Sequence, residues 1–587
     1  MNTIIEYLDK RNWDIKENAN QIFCSGQMIS YVAGKLIKEY WFNEVYPKEA
    51  KELHEKGDIY CHDVSNKLTA YCSAFSTESI IRNGLLNPSA RIRSSPPKHL
   101  SSAVNQLANF IGIVSQELSG AVGLNDFSLF LAPFVYYDKL TEKEVKQELQ
   151  EFIYHINQPN RFSEPAFSNI TISTIVPSDL KDKKVIIGGE EKSKTYKEFE
   201  KEMNMINGLI LDLLTEGDAD GRPMTFPVLT VQILPDFDWD SEIAKKIFQV
   251  TAKYGLPSFE NFNEGTGRNP EQTRSFCCRL NLRLDDLKNH TGGLFGNSDN
   301  VGSIGVVDIN LNRIGYLAKD EDEFFKLLDI RLEVSKKILL ARRAKIEEMF
   351  SEGLYPYLKL YLPSFKTFFN TISVIGGNEC VLNFLGKSLI EPESVEFMNK
   401  MLDYIVKKCE DFYKETGQLF NLEAAPGEGC SYSLAKKDKE LYPDIIVSGT
   451  DEPFLTNSTQ APVTEPNFLK VINTQEQLQT KYTGGTIQNI YLGEKLVDYR
   501  QAKRMVKNII EHTKLPYFSI TPTYSICPVC GYITGEPEKC PTCERQVETF
   551  SRVVGYLRPK RSFNKGKVEE FKKRKYFDVS EISELKK

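Results

Sequence analysis

No stretch of this sequence reaches the ~18 uninterrupted apolar residues of a membrane-spanning helix. The opening residues, MNTIIEYLDKRNWDIKENANQ, carry charge throughout and lack the apolar centre of a signal peptide. Both absences place the chain in the cytoplasm, off any membrane. An excess of one charge sign is missing too: 74 Lys and Arg face 80 Asp and Glu, for a net charge of -6. That argues against a surface built as one footprint for nucleic acid or anionic lipid. No internal repeat or low-complexity tract interrupts the chain, and cysteine is far too sparse for a small disulfide scaffold.

What is present is a long, ordinary globular composition with an unusual tail. The 587 residues, 41% hydrophobic, hold ample material for a large core, either as several domains or as one barrel with appendages. Apolar spacings of three and four predict helices over Met28–Tyr40, Glu49–Glu55, Leu100–Ser119, Lys143–His155, Lys197–Leu214 and Phe324–Phe350. Between them, β-rich runs bounded by turn residues lie at Asn169–Val176, Thr225–Leu234 and Ser303–Ile309. Alternating helices and strands predict an α/β architecture over residues 1–520. The character then changes: 521–550 form a four-cysteine module and 551–587 a separate C-terminal segment.

Twelve cysteines in a reducing compartment point to metal ligation or catalysis rather than disulfides. Cys527-Pro-Val-Cys530 and Cys540-Pro-Thr-Cys543 are two C-x-x-C knuckles, each presenting two thiolates to one ion, and together they make a tetrahedral S₄ set. Zinc is the expected metal and iron its main competitor. With four protein ligands there is no open position, so the metal is structural, holding a segment too short to bury its own core.

Directly after it comes Ser551-Arg-Val-Val-Gly555-Tyr-Leu-Arg-Pro559. Arg-Val-x-Gly-Tyr near a C-terminus resembles the radical-bearing segment of glycyl radical enzymes. Glycine suits such a radical because, with no β-carbon, the α-centre flattens and both neighbouring peptide groups delocalise the unpaired electron. The cysteine cluster ahead of RVVGYLRP and Asn564-Lys-Gly-Lys567 after it narrow the resemblance to the anaerobic (class III) ribonucleoside triphosphate reductases. Further matching segments run in order along the chain, among them Glu17–Asn20, Asn157–Arg161, Gly221–Pro227, Asn421–Pro426, Thr456–Thr459 and Tyr482–Thr486.

The resemblance implies a ten-stranded α/β barrel of two antiparallel five-stranded halves, with a central finger loop, a C-terminal zinc ribbon and a glycyl radical loop. It implies reduction of ribonucleoside triphosphates by glycyl and thiyl radicals. In Arg274-Ser-Phe-Cys277-Cys278-Arg279, Cys278 matches the thiyl cysteine, with Cys277 the adjacent alternative. Cys72 resembles the second cysteine facing the nucleotide, and Asn310 the asparagine lining the ribose site. His62, implied by the resemblance as a substrate-binding residue, stands where the family usually has His-x-His-Asp, here Tyr60-Cys61-His62-Asp63. Cys24, Cys61, Cys380, Cys409 and Cys430 read as packing residues.

Phosphate contacts are expected in Glu423–Ser433, through Glu423, Gly427, Gly429 and Ser431, and in Thr483, Gly484 and Gly485, whose backbone N–H groups suit an anion nest. An ordinary turn is the competing reading of both. Dimerisation around Leu100–Ser119 would place Gln106 and Gln116 at a site for dNTP or ATP effectors, against the simpler reading of a core helix. The family's segments begin by Glu17, which leaves no room for an N-terminal ATP cone. The family's formate users carry Met-Gly before the radical cysteine; Phe276-Cys277 stands here, favouring a thioredoxin- or glutaredoxin-like dithiol donor over formate. The chain has no Cys-x₃-Cys-x₂-Cys motif, so a separate activase using S-adenosylmethionine and a [4Fe-4S] cluster would install the radical. Two alternatives compete: a lyase of the pyruvate formate-lyase type, and a zinc-ribbon nucleic-acid-binding protein with the basic run Lys572–Lys575.

Overall fold

The computed structural model describes every residue except 1, 89–91, 162–163, 267, 269–299, 494–495, 584 and 586–587. Ten strands make a ring. β1 (Cys72–Ser76), β2 (Val122–Asn125), β3 (Ser168–Ile172), β4 (Val228–Ile233) and β5 (Ser258–Asn261) are consecutive and parallel. The second half holds β6 (Gly302–Asn310), β7 (Phe368–Ile375) and β8 (Phe420–Glu423), parallel to one another. It is completed by the parallel pair β9 (Gln488–Leu492) and β10 (Tyr517–Pro522). The halves meet antiparallel at β1–β6 and β5–β10.

The ring closes between β8 and β9 through the residues just before β9. Glu423 and Gly484 form a parallel bridge. Thr483 N donates to Leu422 O, and Ala424 N to Gly484 O, each at 3.0 Å. Gly485 is required here: its φ is +76°, and a Cβ would sit 2.4 Å from the Ala424 carbonyl oxygen. A second glycine sets the β1–β6 seam, where a Cβ on Gly302 would lie 2.1 Å from Cys72 O. The architecture is thus the expected barrel, with two five-stranded parallel halves opposed.

The strand sequences explain which side faces the helices. Val122, Leu124, Ile170, Ile172, Leu229 and Val231 alternate outward into one continuous apolar core under the helical layer. Phe75 does the same and meets Phe110 of helix Leu100–Val114 edge-on at 5.1 Å. The alternate positions are polar and buried: Asn125, Asn169, Thr171, Thr230, Glu260, Asp308, Thr371, Ser373, Asn421 and Ser519 among them, Thr171 being half-buried. Burial of so many hydrogen-bonding groups is tolerable only where they bond one another or a polar occupant. The barrel lumen is therefore a polar chamber, unlike the aliphatic filling of an ordinary closed barrel.

All the helices expected from periodicity are present, with local start signals. Thr141 and Glu144 form a capping box on Glu142–Ile156, and the Asp320 side chain caps the 31-residue helix Glu321–Ser351. Leu100–Ser119 is shorter than expected as α-helix, ending at Val114 and tightening into a 3₁₀ turn over Ser115–Glu117. Among the described residues no helix is long and apolar enough to cross a membrane.

One residue after β10, the chain enters a four-stranded antiparallel sheet of β11 (Tyr524–Cys527), β12 (Gly531–Thr534), β13 (Glu548–Arg552) and β14 (Leu557–Pro559). The boundary expected at 550/551 falls inside β13. Phe550 pairs with both Tyr524 and Pro559, so the cysteine module and the Gly555 segment share one sheet. Tyr524 stacks on Phe550 and Tyr532 and meets Tyr254 edge-on, fastening this sheet to the barrel.

Candidate active site

β13 and β14 form a hairpin whose tip is Val553–Tyr556, closed by Val553 N donating to Tyr556 O at 3.1 Å. The tip is buried. Val553, Val554 and Tyr556 pack with Ala19, Phe563 and Phe571, against Phe167 and Val228 at the starts of β3 and β4. Peptide groups around Gly555 are held from several sides. Arg552 Nη1 donates to Gly555 O at 3.0 Å, and Asn489 Nδ2 on β9 donates to Val554 O at 3.0 Å. The Tyr556 hydroxyl donates to Glu428 Oε2 at 2.7 Å, while Ala19 N donates to Glu428 Oε1 at 2.6 Å.

Glu428 is consequently an unusual carboxyl. Burial pushes it up to about 7, against the opposing effect of the Tyr556 hydroxyl and the Ala19 N–H. Two cavities border the hairpin tip, one of about 440 Å³ and one of about 60 Å³, and Pro426, Val554 and Gly555 line both. The larger is also lined by His62, Tyr71, Phe167, Glu428 and Cys430. Cys72, next to Tyr71, is buried on β1. Strand alternation puts it opposite Phe75, on the lumen side.

The four cysteines of the tail converge. Their sulfur atoms all lie within 4.8 Å of one another, and Cys527 and Cys543 Sγ are 3.5 Å apart. The knuckle backbone favours thiolate at Cys540 and Cys527, while Cys530 is raised by the neighbouring sulfurs and Cys543, despite the Arg545 N–H, by burial and the neighbouring sulfurs. Burial raises Cys540, but the N–H groups of Cys543 and Thr542 outweigh it and leave it at about 6. The N–H groups of Cys530 and Val529 lower Cys527. Gly531, at φ +77°, allows the turn after the first knuckle.

A family model for anaerobic ribonucleoside-triphosphate reductase matches residues 17–577. The chain belongs to the anaerobic ribonucleoside-triphosphate reductase family. It is 24% identical to the reductase of Haemophilus influenzae and 25% identical to that of Salmonella typhimurium, covering in each case 92% of this chain and 80% of the relative. The anaerobic ribonucleotide reductase of Thermotoga maritima, solved with dATP and CTP, has the same fold, with a TM-score of 0.76 at 23% identity over 97% of this chain and 98% of that one. The chain is thus an enzyme that reduces ribonucleoside triphosphates, not a lyase or a nucleic-acid-binding ribbon.

Within this reductase the expected site residues fall into three groups. Gly555, His62 and Gly429 line the 440 Å³ cavity, as does Tyr71, the chain neighbour of Cys72. Cys277 and Cys278 lie outside the described residues. Other residues are engaged in the scaffold. Asn310 is the N-cap of helix Leu311–Leu317: its Oδ1 accepts from Arg313 N, and its Nδ2 donates to Gly57 O and the Asp438 carboxylate. Glu423–Ser433 runs from the end of β8 into helix Glu428–Leu441. There Gly427 N donates to Asn457 Oδ1 and the Ser431 hydroxyl to Leu455 O, while Glu423 accepts from Asn421. The Thr483 hydroxyl donates to Leu422 O within the barrel closure.

Gln106 faces inward and donates to Ser95 O at 2.9 Å; Gln116 is exposed and donates to Gly112 O and Asn160 O. The reductase also contains residues that sequence reading passed over. Glu428 lies inside a segment scanned for glycines, and Arg552 precedes the glycine without looking catalytic. Asp308 lies two residues before Asn310 in the segment that carries the resemblance, overshadowed there by the asparagine. Cys430 was read as packing, yet its thiol donates to Asp308 at the cavity.

Proposed function

We propose that this reductase works by moving an unpaired electron from Gly555 to a thiol of the segment 269–299, with Cys278 as that thiol and Cys277 beside it. A hydrogen atom is taken from the Gly555 α-carbon by a separate activase that uses S-adenosylmethionine and a [4Fe-4S] cluster. The glycyl radical then takes the thiol hydrogen, and the resulting thiyl takes the 3′-hydrogen of the ribose. The 2′-hydroxyl leaves as water, Cys72 being the thiol placed to serve it, and a dithiol redoxin supplies the two electrons and two protons.

The observation that carries this reading is the position of Gly555. It is buried at the tip of a hairpin, it borders the cavity that also holds His62 and Tyr71, and the carbonyls on both sides of its nitrogen and α-carbon accept hydrogen bonds from fixed donors. Burial excludes water and oxygen, and fixed peptide planes favour delocalisation. The four-cysteine cluster would hold zinc, which supplies no chemistry to the reaction and fixes the sheet from which the hairpin extends. Effector control by deoxynucleotides is supported by the dATP bound to the Thermotoga maritima relative, and a homodimer is proposed with it. The Leu100–Val114 helix is proposed as the dimer face, its exposed edge being Ser101, Ser102 and Asn105.

Anaerobic activation followed by EPR tests the reading. Wild type should give a glycyl doublet and convert CTP to dCTP, and Gly555→Ala should give neither. A doublet that persists in Gly555→Ala would overturn it. Parallel turnover with a dithiol redoxin or formate identifies the donor; the redoxin should support it and formate should not.

A further inference from the structure

Two carbonyl groups flank the Gly555 α-carbon, and they receive different donors. Gly555 O accepts from the Arg552 guanidinium at 3.0 Å. Val554 O, one peptide earlier, accepts from the neutral side-chain amide of Asn489 at 3.0 Å. Each donor is anchored elsewhere. Arg552 is 1% exposed and gives Nη2 to Gly255 O at 2.7 Å. Arg574 in turn donates to the Arg552 backbone oxygen and to the Ser551 hydroxyl, each at 3.0 Å. Asn489 lies on β9, where its Oδ1 accepts from the Ser519 hydroxyl on β10 at 2.8 Å, which turns Nδ2 toward Val554.

The two bonds act in opposite directions on an unpaired electron at the α-carbon. Such an electron is spread by two effects: the amide nitrogen donates density and the carbonyl that follows accepts it. A donor on Gly555 O raises the pull of that carbonyl and draws spin away from carbon. A donor on Val554 O strengthens resonance within the preceding peptide, which ties up the nitrogen lone pair and leaves spin on carbon. The bond from the charged guanidinium is roughly twice as strong as the one from the neutral amide. Both gain from the dry surroundings of the hairpin tip. Arg552 therefore decides the balance.

We propose that Arg552 tunes the radical: its hydrogen bond draws spin onto the Gly555 carbonyl and keeps the unpaired electron on glycine between turnovers. The inference rests on the reductase reading and deepens it. When the glycyl radical takes the thiol hydrogen, one S–H bond breaks and one Cα–H bond forms, and the reverse transfer restores both. A donor fixed in advance on the oxygen that gains electron density lowers the energy of the glycine side of this exchange. Arg552 thus biases it toward storage, and Asn489 offsets part of the bias.

The test is EPR of the activated full chain, with isotope labels. Wild type made with isotope-labelled arginine nitrogen should show a nitrogen coupling to the glycyl radical, because Nη1 lies one hydrogen bond from a spin-bearing oxygen. Absence of that coupling would overturn the proposal without any substitution. Arg552→Gln should widen the doublet, since the splitting by the remaining α-hydrogen follows the spin left on carbon. Asn489→Ala should narrow it. A hairpin that had merely loosened would change both spectra in the same way, so opposite shifts mark polarised peptide groups. Unchanged splittings in both variants, or shifts of one sign, refute the assignment. Should either variant hold no radical, the other variant and the labelled wild type decide. If wild type gives no doublet, or one that survives Gly555→Ala, the reductase reading itself fails, a separate result.

Discussion

Arg552 spans the base of the Gly555 hairpin: Nη1 donates to Gly555 O at 3.0 Å and Nη2 to Gly255 O at 2.7 Å. One buried guanidinium thus joins the Gly555 tip to the loop that leads into β5, with its charge spread over two carbonyls. Arg552→Gln strands at least one of these acceptors in a dry site. A loss of about 1–3 kcal/mol in stability is expected, read by denaturant unfolding under anaerobic conditions. The glycyl doublet should also fall in yield relative to wild type at equal activase. Full radical yield in Arg552→Gln would show that the hairpin holds its position without this tie.

Glu428 should make the fold sensitive to pH. Its carboxyl is raised by burial from an ordinary 4.5 to about 7, so the native state holds a proton that the unfolded chain releases between those values. Stability contributed by the neutral carboxyl is present below pH 4.5 and is lost as pH rises through 7, on the order of 3 kcal/mol in all. Glu428→Gln should flatten this part of the stability profile between pH 5 and 8. Equal slopes for wild type and variant would assign the pH dependence elsewhere.

Metal removal should act on the radical through the scaffold. With Cys543→Ser or after chelation, bound zinc should fall from one per chain toward none, measured by elemental analysis. The aromatic packing of Tyr524 on Phe550 should loosen, and the doublet should be lost even though Gly555 is intact. The barrel should stay folded, since its closure at Thr483–Gly485 and its seams do not involve the cysteine sheet.

Asn310 allows a cap and a substrate contact to be told apart. As an N-cap bonded to Arg313 N and to Asp438, its replacement by alanine should cost about 1–2 kcal/mol of stability. Asn310→Asp keeps the capping oxygen but sets a second carboxylate against Asp438, and should be worse. If Asn310 served only the cap, kcat/KM for CTP in Asn310→Ala at low temperature should stay within about threefold of wild type. A fall of two orders of magnitude at unchanged folding would instead mark a ribose contact.

Much of this molecule was legible in its residue order. Cys527, Cys530, Cys540 and Cys543 announce their convergence because two-residue gaps force both thiolates of a knuckle to one side. Gly555 was found by its immediate neighbours, the long helix Glu321–Ser351 by its apolar period of 3.6, and three of the ten barrel strands as β-rich runs between turn residues, while the barrel itself came from the resemblance. These signals are local, fixed by backbone geometry within a few residues. The partnerships that shape the site are not: Tyr556 meets Glu428 across 128 residues, Cys430 meets Asp308 across 122, and His62 meets Asp308 across 246. Only closure of the barrel brings β6, β8 and the tail hairpin to one end, and only burial there changes what those groups can do. A carboxyl near pH 7 and an ion pair beside a thiol are properties of the enclosed space, because desolvation and distance set charge, and sequence spacing fixes neither.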